Sequence, residues 1–338
     1  MTVKEIGMET PRSTRNAYLL VIWLMSAMLL FFSASFCMAQ NDLVRLVQPD
    51  APVIAGLHRM SQDRSKDALW VATRNSVDDL SRLVALVEND PERRVDQVIV
   101  ADWGSSTSSP GSHLVIAQGR FNLASIASTM AHPAKLSYDG VPVLAIETKA
   151  GSTPAMRWLA VPQRELALFG TPSAVQVALD RFRSGAHADP QLLERLRNAH
   201  DRDAAWSSVV LAPRALQASG KFQAGALAPC LDRMREVDLG IQIGKTVTID
   251  LHTEPRDGAA GVSAECISTA LFANYAPLMR IGFGGGERPD VRVTLVRSDY
   301  ERWLDPFRKS ELKQTLAALL SAPGGSADPA PDNVESVR

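Results

Sequence analysis

Cysteine is scarce in this chain of 338 residues, which contains three cysteines in all. Cys37 belongs to the apolar N-terminal segment, which leaves Cys230 and Cys266 in the remainder. A framework of several disulfides, typical of small secreted domains, is therefore excluded. The two remaining cysteines fit one disulfide in an oxidising compartment. They also fit two buried free thiols, which we favour because each lies in a segment with a helical pattern.

Net charge is also low, at −1 for the whole chain. The first 16 residues carry three basic and two acidic side chains, so residues 40–338 carry about −2. Arginines gather between Arg181 and Arg202, but acidic residues alternate with them, as on a solvated helical surface. Nucleic-acid binding requires a clustered basic face, and the sequence has none.

The chain lacks every complete catalytic or metal-binding motif that we tested. A Gly-x-Ser-x-Gly elbow is absent, and Ser310 with Lys313 matches a nucleophile spacing without its companion motifs. His252 and Glu254 could share one face of a strand end, which is also normal for polar residues leaving a hairpin. No two histidines are three or four residues apart; the six are His58, His113, His132, His187, His200 and His252. We therefore expect no catalytic, cofactor-binding or metal-binding residues.

Two glycine-rich segments resemble nucleotide-binding loops only in part. Gly240–Thr246 has three residues between its glycines instead of four, and strand-like alternation continues on both sides of it. Gly282–Glu287 lacks the third glycine and precedes a strand instead of opening a helix. We therefore predict a hairpin turn at Gly240–Thr246 and a connector at Gly282–Glu287.

The most informative feature present is the N-terminal segment. A polar head with Lys4, Arg12 and Arg15 precedes the apolar run Ala17–Phe32, as in an export signal. Cys37 and Ala39 would occupy positions −3 and −1 of a cut before Gln40, so we favour a removed signal. A retained membrane anchor is the alternative, because 17–39 is long enough to span a bilayer. Lipidation at Cys37 is disfavoured by the bulky Phe36 before it.

Residues 40–203 have the pattern of a first α+β unit. Strands are predicted at 51–57, 95–101, 113–118 and 141–147, with one or two helices at 67–87 and another at 122–130. Trp158–Val161 and Glu165–Phe169 predict an antiparallel hairpin. A helix should then begin with Thr171 as its cap and Pro172 as its first residue, and stop at Gly185.

Residues 204–320 have the pattern of a second α+β unit. A strand is predicted at 206–211, and 237–243 and 247–251 should form a hairpin around Gly244 and Lys245. Helix 258–278, strand 291–296 and a last helix over 300–320, interrupted at Pro306, would follow. The tail 321–338 is rich in Pro, Gly, Ala, Asp and Ser, which predicts disorder. The mature tryptophans are dispersed, which predicts core anchors and edge positions instead of one stacking platform; they are Trp70, Trp103, Trp158, Trp206 and Trp303.

The chain resembles a group of uncharacterised exported bacterial proteins in which a leader precedes two α+β units. The resemblance rests on Gln118–Phe121, Tyr138–Val141, Leu168–Val175 and Val237–Ile241. These segments are turn and core patterns, and the group has no assigned activity. The resemblance therefore implies two α+β units and export from the cytoplasm. It implies no catalytic residues.

Together these patterns predict an α+β fold of two consecutive units, each a mainly antiparallel sheet with helices packed on one face. We expect a non-enzymatic exported protein that binds or supports an unknown envelope protein or small ligand in the cell envelope or periplasm. It would contact the membrane only through 17–39, if that segment is retained. The alternatives are an exported hydrolase whose site is assembled from distant residues, and a membrane-tethered accessory subunit.

Overall fold

The computed structural model describes residues 42–59, 68–88, 93–103, 112–130, 133–150, 153–198, 203–211, 233–256, 280–284 and 290–308. Its described strands are β1 (Val53–His58), β2 (Arg94–Trp103), β3 (Ser112–Arg120), β4 (Ala134–Tyr138), β5 (Val141–Ala150), β6 (Thr153–Gln163), β7 (Leu166–Gly170), β8 (Ala205–Val210), β9 (Met234–Ile243), β10 (Thr246–Pro255), β11 (Arg280–Gly284) and β12 (Asp290–Val296). Its described α-helices are α1 (Ala68–Ser76), α2 (Asp78–Val87), α3 (Leu123–Ser128), α4 (Pro172–Arg183), α5 (Pro190–Arg195) and α6 (Arg297–Arg308).

All twelve strands belong to one sheet, in the order β11-β12-β10-β9-β8-β1-β2-β3-β7-β6-β5-β4. Each neighbouring pair is antiparallel. The fold is therefore α+β and mostly sheet. The strands of both expected units join through the pairing of β1 with β8, so the chain does not form two separate sheets.

Short turns connect several neighbouring strands and account for their register. Asp139 and Gly140, between β4 and β5, both have positive φ angles, of 50° and 81°. Such two-residue turns match the twist of antiparallel strands, and Asp-Gly is a preferred sequence for them. Gly244 and Lys245 connect β9 to β10, as predicted from the alternation on either side.

Helices cover both faces of the sheet, which differs from the expectation of one face. Leu80 and Leu83 of α2 pack in a cluster with Val100 of β2 and Val115 of β3, on what we call the α2 face. Helix α4 packs against β3, β6 and β7 on the opposite side, the α4 face. All five residues of β7 are buried, so this strand is apolar on both sides and each side requires cover.

Two details near helix ends also differ from the sequence prediction. Thr171 is the N-cap residue of α4 and Pro172 begins the helix, but the Thr171 side chain makes no capping hydrogen bond. Gly185 follows α4 with a φ angle of +64°, as expected of a helix stop.

Helix α6 begins at Arg297 and continues through Pro306 to Arg308. A proline near the described end of a helix removes one backbone donor without breaking the preceding turns.

Trp206 of β8 lies at the centre of the sheet, where the two halves meet. It is 2% exposed and pairs in register with Gly56 of β1 on one side and Gly240 of β9 on the other. A Cβ atom added at Gly56 would lie 2.2 Å from Cε2 of Trp206, closer than non-bonded atoms can approach. The indole ring therefore occupies the space above Gly56, and the close packing of β1 against β8 requires a glycine there.

Replacing Gly56 with alanine should lower the free energy of unfolding by about 1–3 kcal/mol, because overpacking forces the Trp206 ring to move. Gly244→Ala is the matched control, since a Cβ atom there would meet its nearest neighbour, the Thr246 carbonyl oxygen, at an ordinary 3.6 Å. Urea unfolding followed by tryptophan fluorescence measures both variants. Equal stability of the two variants would contradict the described position of Trp206.

Candidate functional site

Four ionisable side chains meet on the α2 face, and we call them the His113 cluster: Asp79, Asp102, His113 and Arg157. Asp102 of β2 and His113 of β3 are cross-strand partners, so their side chains project from the same face of the sheet. Nδ1 of His113 contacts Oδ1 of Asp102. From α2, Asp79 receives Nε of Arg157 at 2.8 Å and 3.0 Å from its two carboxylate oxygens. The cluster thereby combines one contact between β2 and β3 with one between α2 and β6.

Burial and neighbouring charges shift the pKa values of Asp102 and His113. The side chain of Asp102 is 8% exposed, and burial raises its pKa although the hydrogen bond to His113 opposes that change. Burial on its own would lower the pKa of His113. The hydrogen bond to Asp102 and the negative charges of Asp102 and Asp79 outweigh burial and raise that pKa above its usual value. A protonated imidazole is therefore favoured beside the buried carboxylate.

A histidine oriented through Nδ1 by a buried carboxylate is the arrangement of a general base. The ring of His113 is 37% exposed, and within the described residues its imidazole bonds only to Asp102. Ser112, the adjacent serine, projects to the other face, where its hydroxyl lies 3.2 Å from that of Ser173 on α4. Two members of a catalytic triad are thus present, and no described serine completes it.

Replacing Asp102 with asparagine should lower the pKa of His113, because burial then acts without its opposing partner. In the native chain, the stabilisation from protonated His113 is fully present below about pH 6.5 and is lost as pH rises through the raised pKa. NMR titration of the His113 ring measures the pKa in each variant. Asp96→Asn is the control, since Asp96 is a partly exposed residue of the same strand paired with Arg94. An unchanged His113 pKa in Asp102→Asn would refute the cluster.

A second polar group, the Arg195 cluster, lies on the α4 face and comprises Arg195, Ser208, Glu236, Asp238 and His252. Ser208, Asp238 and His252 stand side by side on β8, β9 and β10, because the register pairs Ser208 with Asp238 and Asp238 with His252. Ser208 donates to Glu236 at 3.1 Å. The acid lies between serine and histidine in this row, whereas a triad needs histidine in the middle.

Arg195 holds this cluster to the rest of the fold. Its guanidinium donates to the carbonyl oxygens of Ala51 and Pro52, at 2.7 Å and 3.3 Å, and to the hydroxyl of Ser208 at 3.2 Å. Burial lowers the pKa of Arg195, and the charges of Glu236 and Asp238 oppose that change. Burial, followed by the charge of Asp238, raises the pKa of Glu236. Most of the Arg195 donors are thus committed to the protein.

The cleft beside Arg195 has little room for a ligand. It is lined by Leu196, Ser207 and Leu239 together with members of the cluster, and its interior admits about one water molecule. Among the described side chains, no group of three His, Cys, Asp or Glu residues could hold a metal ion. This cluster therefore has the geometry of a structural junction.

The third candidate surface is apolar and lies at the β4 end of the sheet. Leu136 and Met156 are 45% and 46% exposed. They lie on the α4 face with Tyr138 and Trp158, whose ring centroids are 6.2 Å apart. Tyr138 donates to Asp180 of α4 at 3.1 Å, which positions the aromatic pair beside the helix. We call Leu136, Tyr138, Met156 and Trp158 the edge strip.

The residues singled out in the sequence occupy scattered places. His58, His113 and His252 lie on different strands, and the segment Gly240–Thr246 forms the β9–β10 hairpin instead of a phosphate loop. Trp70, Trp103 and Trp206 are buried and Trp158 is partly buried, which fits the predicted mixture of core and edge positions. The following lie outside the residues or side chains that the structure describes: the leader 1–39, His132, His200, Cys230, Cys266, helix 258–278, Trp303, Ser310, Lys313 and the tail 321–338.

Sequence reasoning missed all three clusters, because cross-strand neighbours are separated along the chain and no spacing rule connects them. None of the helices in the described ranges is long and apolar enough to cross a membrane. No protein-family model matches the chain. Searches of curated proteins and of solved structures likewise gave no match.

Proposed function

We propose that this chain is an exported, non-enzymatic protein that works by binding, and that the edge strip is its binding surface. The observation that supports the proposal is the exposure of Leu136 and Met156 beside a partly exposed Tyr138–Trp158 pair. Isolated exposed apolar residues are normal on soluble proteins, but a contiguous group that includes aromatic residues is typical of interaction sites. The N-terminal segment supports an extracytoplasmic location, in the periplasm, secreted, or held at the inner membrane.

The composition of the edge strip favours a partly apolar partner. Aromatic residues and methionine are enriched at protein interfaces, and lysine is depleted there. The strip has two aromatic residues and one methionine, and Lys135, its nearest basic neighbour on β4, projects to the opposite face. A polypeptide surface of an envelope protein fits this chemistry better than a phosphate-bearing or strongly charged ligand.

The two-unit organisation expected from the sequence is also part of this proposal. Strands run outwards from the central pair in matching orders, β1-β2-β3-β7-β6 in one half and β8-β9-β10-β12-β11 in the other. Helix α6 packs on β10 and β12 with Tyr300 in the α2-face cluster, whereas α4 lies on the opposite face. The two halves therefore repeat the order of strands but not the position of the helices. β4 and β5 are additional strands of the first half. The edge strip combines Leu136 and Tyr138 of the added strand β4 with Met156 and Trp158 of β6.

A photo-crosslinking side chain placed at Met156 should form an adduct in the envelope of cells that express the full chain. Adding Leu136→Lys should reduce that adduct, because a charge replaces an apolar side chain of the strip. The same crosslinker at Leu193, which is 39% exposed on α5, is the control position. Intact mass of the adduct in soluble and membrane fractions also shows whether residues 1–39 are retained. Absence of an adduct at Met156, or equal adducts at both positions, would contradict the proposal.

The alternative, an exported hydrolase, is favoured by one observation, the orientation of His113 by buried Asp102. Under our proposal, the protein hydrolyses small chromogenic esters no faster than its His113→Gln variant does. A general base accelerates such reactions by about 10²–10⁴-fold, so the assay is sensitive to a working site. His252→Gln is the control for a change of histidine elsewhere. Turnover that disappears in His113→Gln and persists in His252→Gln would establish the hydrolase instead.

A further inference from the structure

We propose that β4 pairs antiparallel with β4 of a second copy of this chain, so that two sheets continue into one across a twofold axis. This inference rests on the proposed function, since it identifies the polypeptide that Leu136 and Tyr138, the β4 members of the edge strip, meet. The dimer would be isologous, with the same strand contributed by both copies.

The first support is that β4 ends the sheet. It pairs with β5 along Ala134–Tyr138 and with no other strand in the described part of the chain. Four of its five residues are exposed, so no described helix or loop covers this edge. An uncovered edge strand presents backbone donors and acceptors to any strand that lies beside it. Every pairing already in this sheet is antiparallel, and a second β4 would continue that pattern.

The second support is that β4 is complementary to itself in an antiparallel register centred on Leu136. In this register Leu136 faces its own copy, and Ala134 faces Tyr138, so a small side chain lies opposite a large one on both sides of the axis. Lys135 faces Ser137 twice. The single charge of the strand, Lys135, therefore never faces itself, and like charges directly opposite would have been unfavourable.

The third support is the continuity of the two strips. A twofold axis perpendicular to the sheet keeps the α4 face of both copies on the same side. The two copies of Leu136 would then face each other across the axis, at the roughly 4.5–5.5 Å that separates cross-strand Cβ atoms, with Tyr138 of each copy on the diagonal. Leu136, nearly half exposed in the single chain, would be covered by apolar side chains of the second copy.

Substitutions of opposite charge at Ser137 test this register. Ser137→Glu would place a carboxylate opposite Lys135 on both sides of the axis and should tighten the dimer at least about threefold; Ser137→Lys would place like charges there and should weaken it by a similar factor. The full chain is expressed with its own leader and purified in the form that cells release, or in detergent if the leader is retained. Sedimentation equilibrium up to about 100 µM measures the dimer dissociation constant.

Ser298→Glu and Ser298→Lys are the matched controls, since Ser298 is an exposed serine of α6, which packs on the other half of the sheet. They should leave the dissociation constant unchanged. A monomer at every concentration, or a dimer that responds equally to both charges at Ser137, would overturn the inference. If the chain is monomeric but the Met156 adduct still depends on Leu136, the binding function stands and only the identity of its partner is refuted.

Discussion

The whole sheet depends on β1, because this strand pairs on both of its sides with strands from different halves of the chain. On one side it holds β2, and on the other β8 in a register that places Trp206 over Gly56. A buried indole removes a large apolar area from water, and here it does so only because the facing residue lacks a side chain. The contact of Trp206 with Gly56 holds β8 against β1. This pairing joins two sets of strands into one sheet.

Buried charged pairs then attach the surrounding helices to this sheet. Arg157 of β6 holds Asp79 of α2, and Arg59, which follows β1, holds Glu88 at the end of α2 at 2.9 Å. The guanidinium of Arg59 also lies 5.6 Å from the ring centroid of Trp70 on α1. Such pairs add little net stability relative to apolar contacts, but removing one partner leaves an uncompensated charge. These ion pairs therefore favour the observed arrangement of the helices on the strands over alternative packings.

Local structure was largely predictable from the sequence, and long-range structure was not. Alternation and turn residues located most strands, and Pro172 and Gly185 marked the ends of α4 correctly. β4 was missed, although Ala134–Tyr138 alternates apolar and polar residues over its five positions and Asp139-Gly140 is a hairpin signal that requires a strand on each side. Helices on both faces could have been inferred from β7, whose five residues are all apolar or glycine.

The candidate sites, too, could not be predicted from the sequence, because they depend on which residues become neighbours across strands. Asp102 and His113 are eleven positions apart in the sequence and become partners only through the register of β2 and β3. Ser208, Asp238 and His252 form a row that spans three strands, yet no two of them share a motif. A sequence specifies which side chains alternate on a strand, whereas the neighbour across a strand depends on pairing between distant segments. Polar clusters of this kind are therefore visible only in the folded chain.

The edge strip lies at the β4 end of the sheet. Beyond β6 the sheet continues with β5 and then ends at β4. These two strands extend past the cover of α4, which packs on β3, β6 and β7. On the α4 face, Leu136 of β4 is 45% exposed, whereas its partner on β5, Val143, is buried. Tyr138 of β4 donates to Asp180 of α4. Leu136 at the centre of β4 keeps 45% of its surface exposed in a single chain, so core packing alone does not account for a leucine there. An exposed leucine on an uncovered, self-complementary edge is better explained by contact with another chain than by the stability of this one.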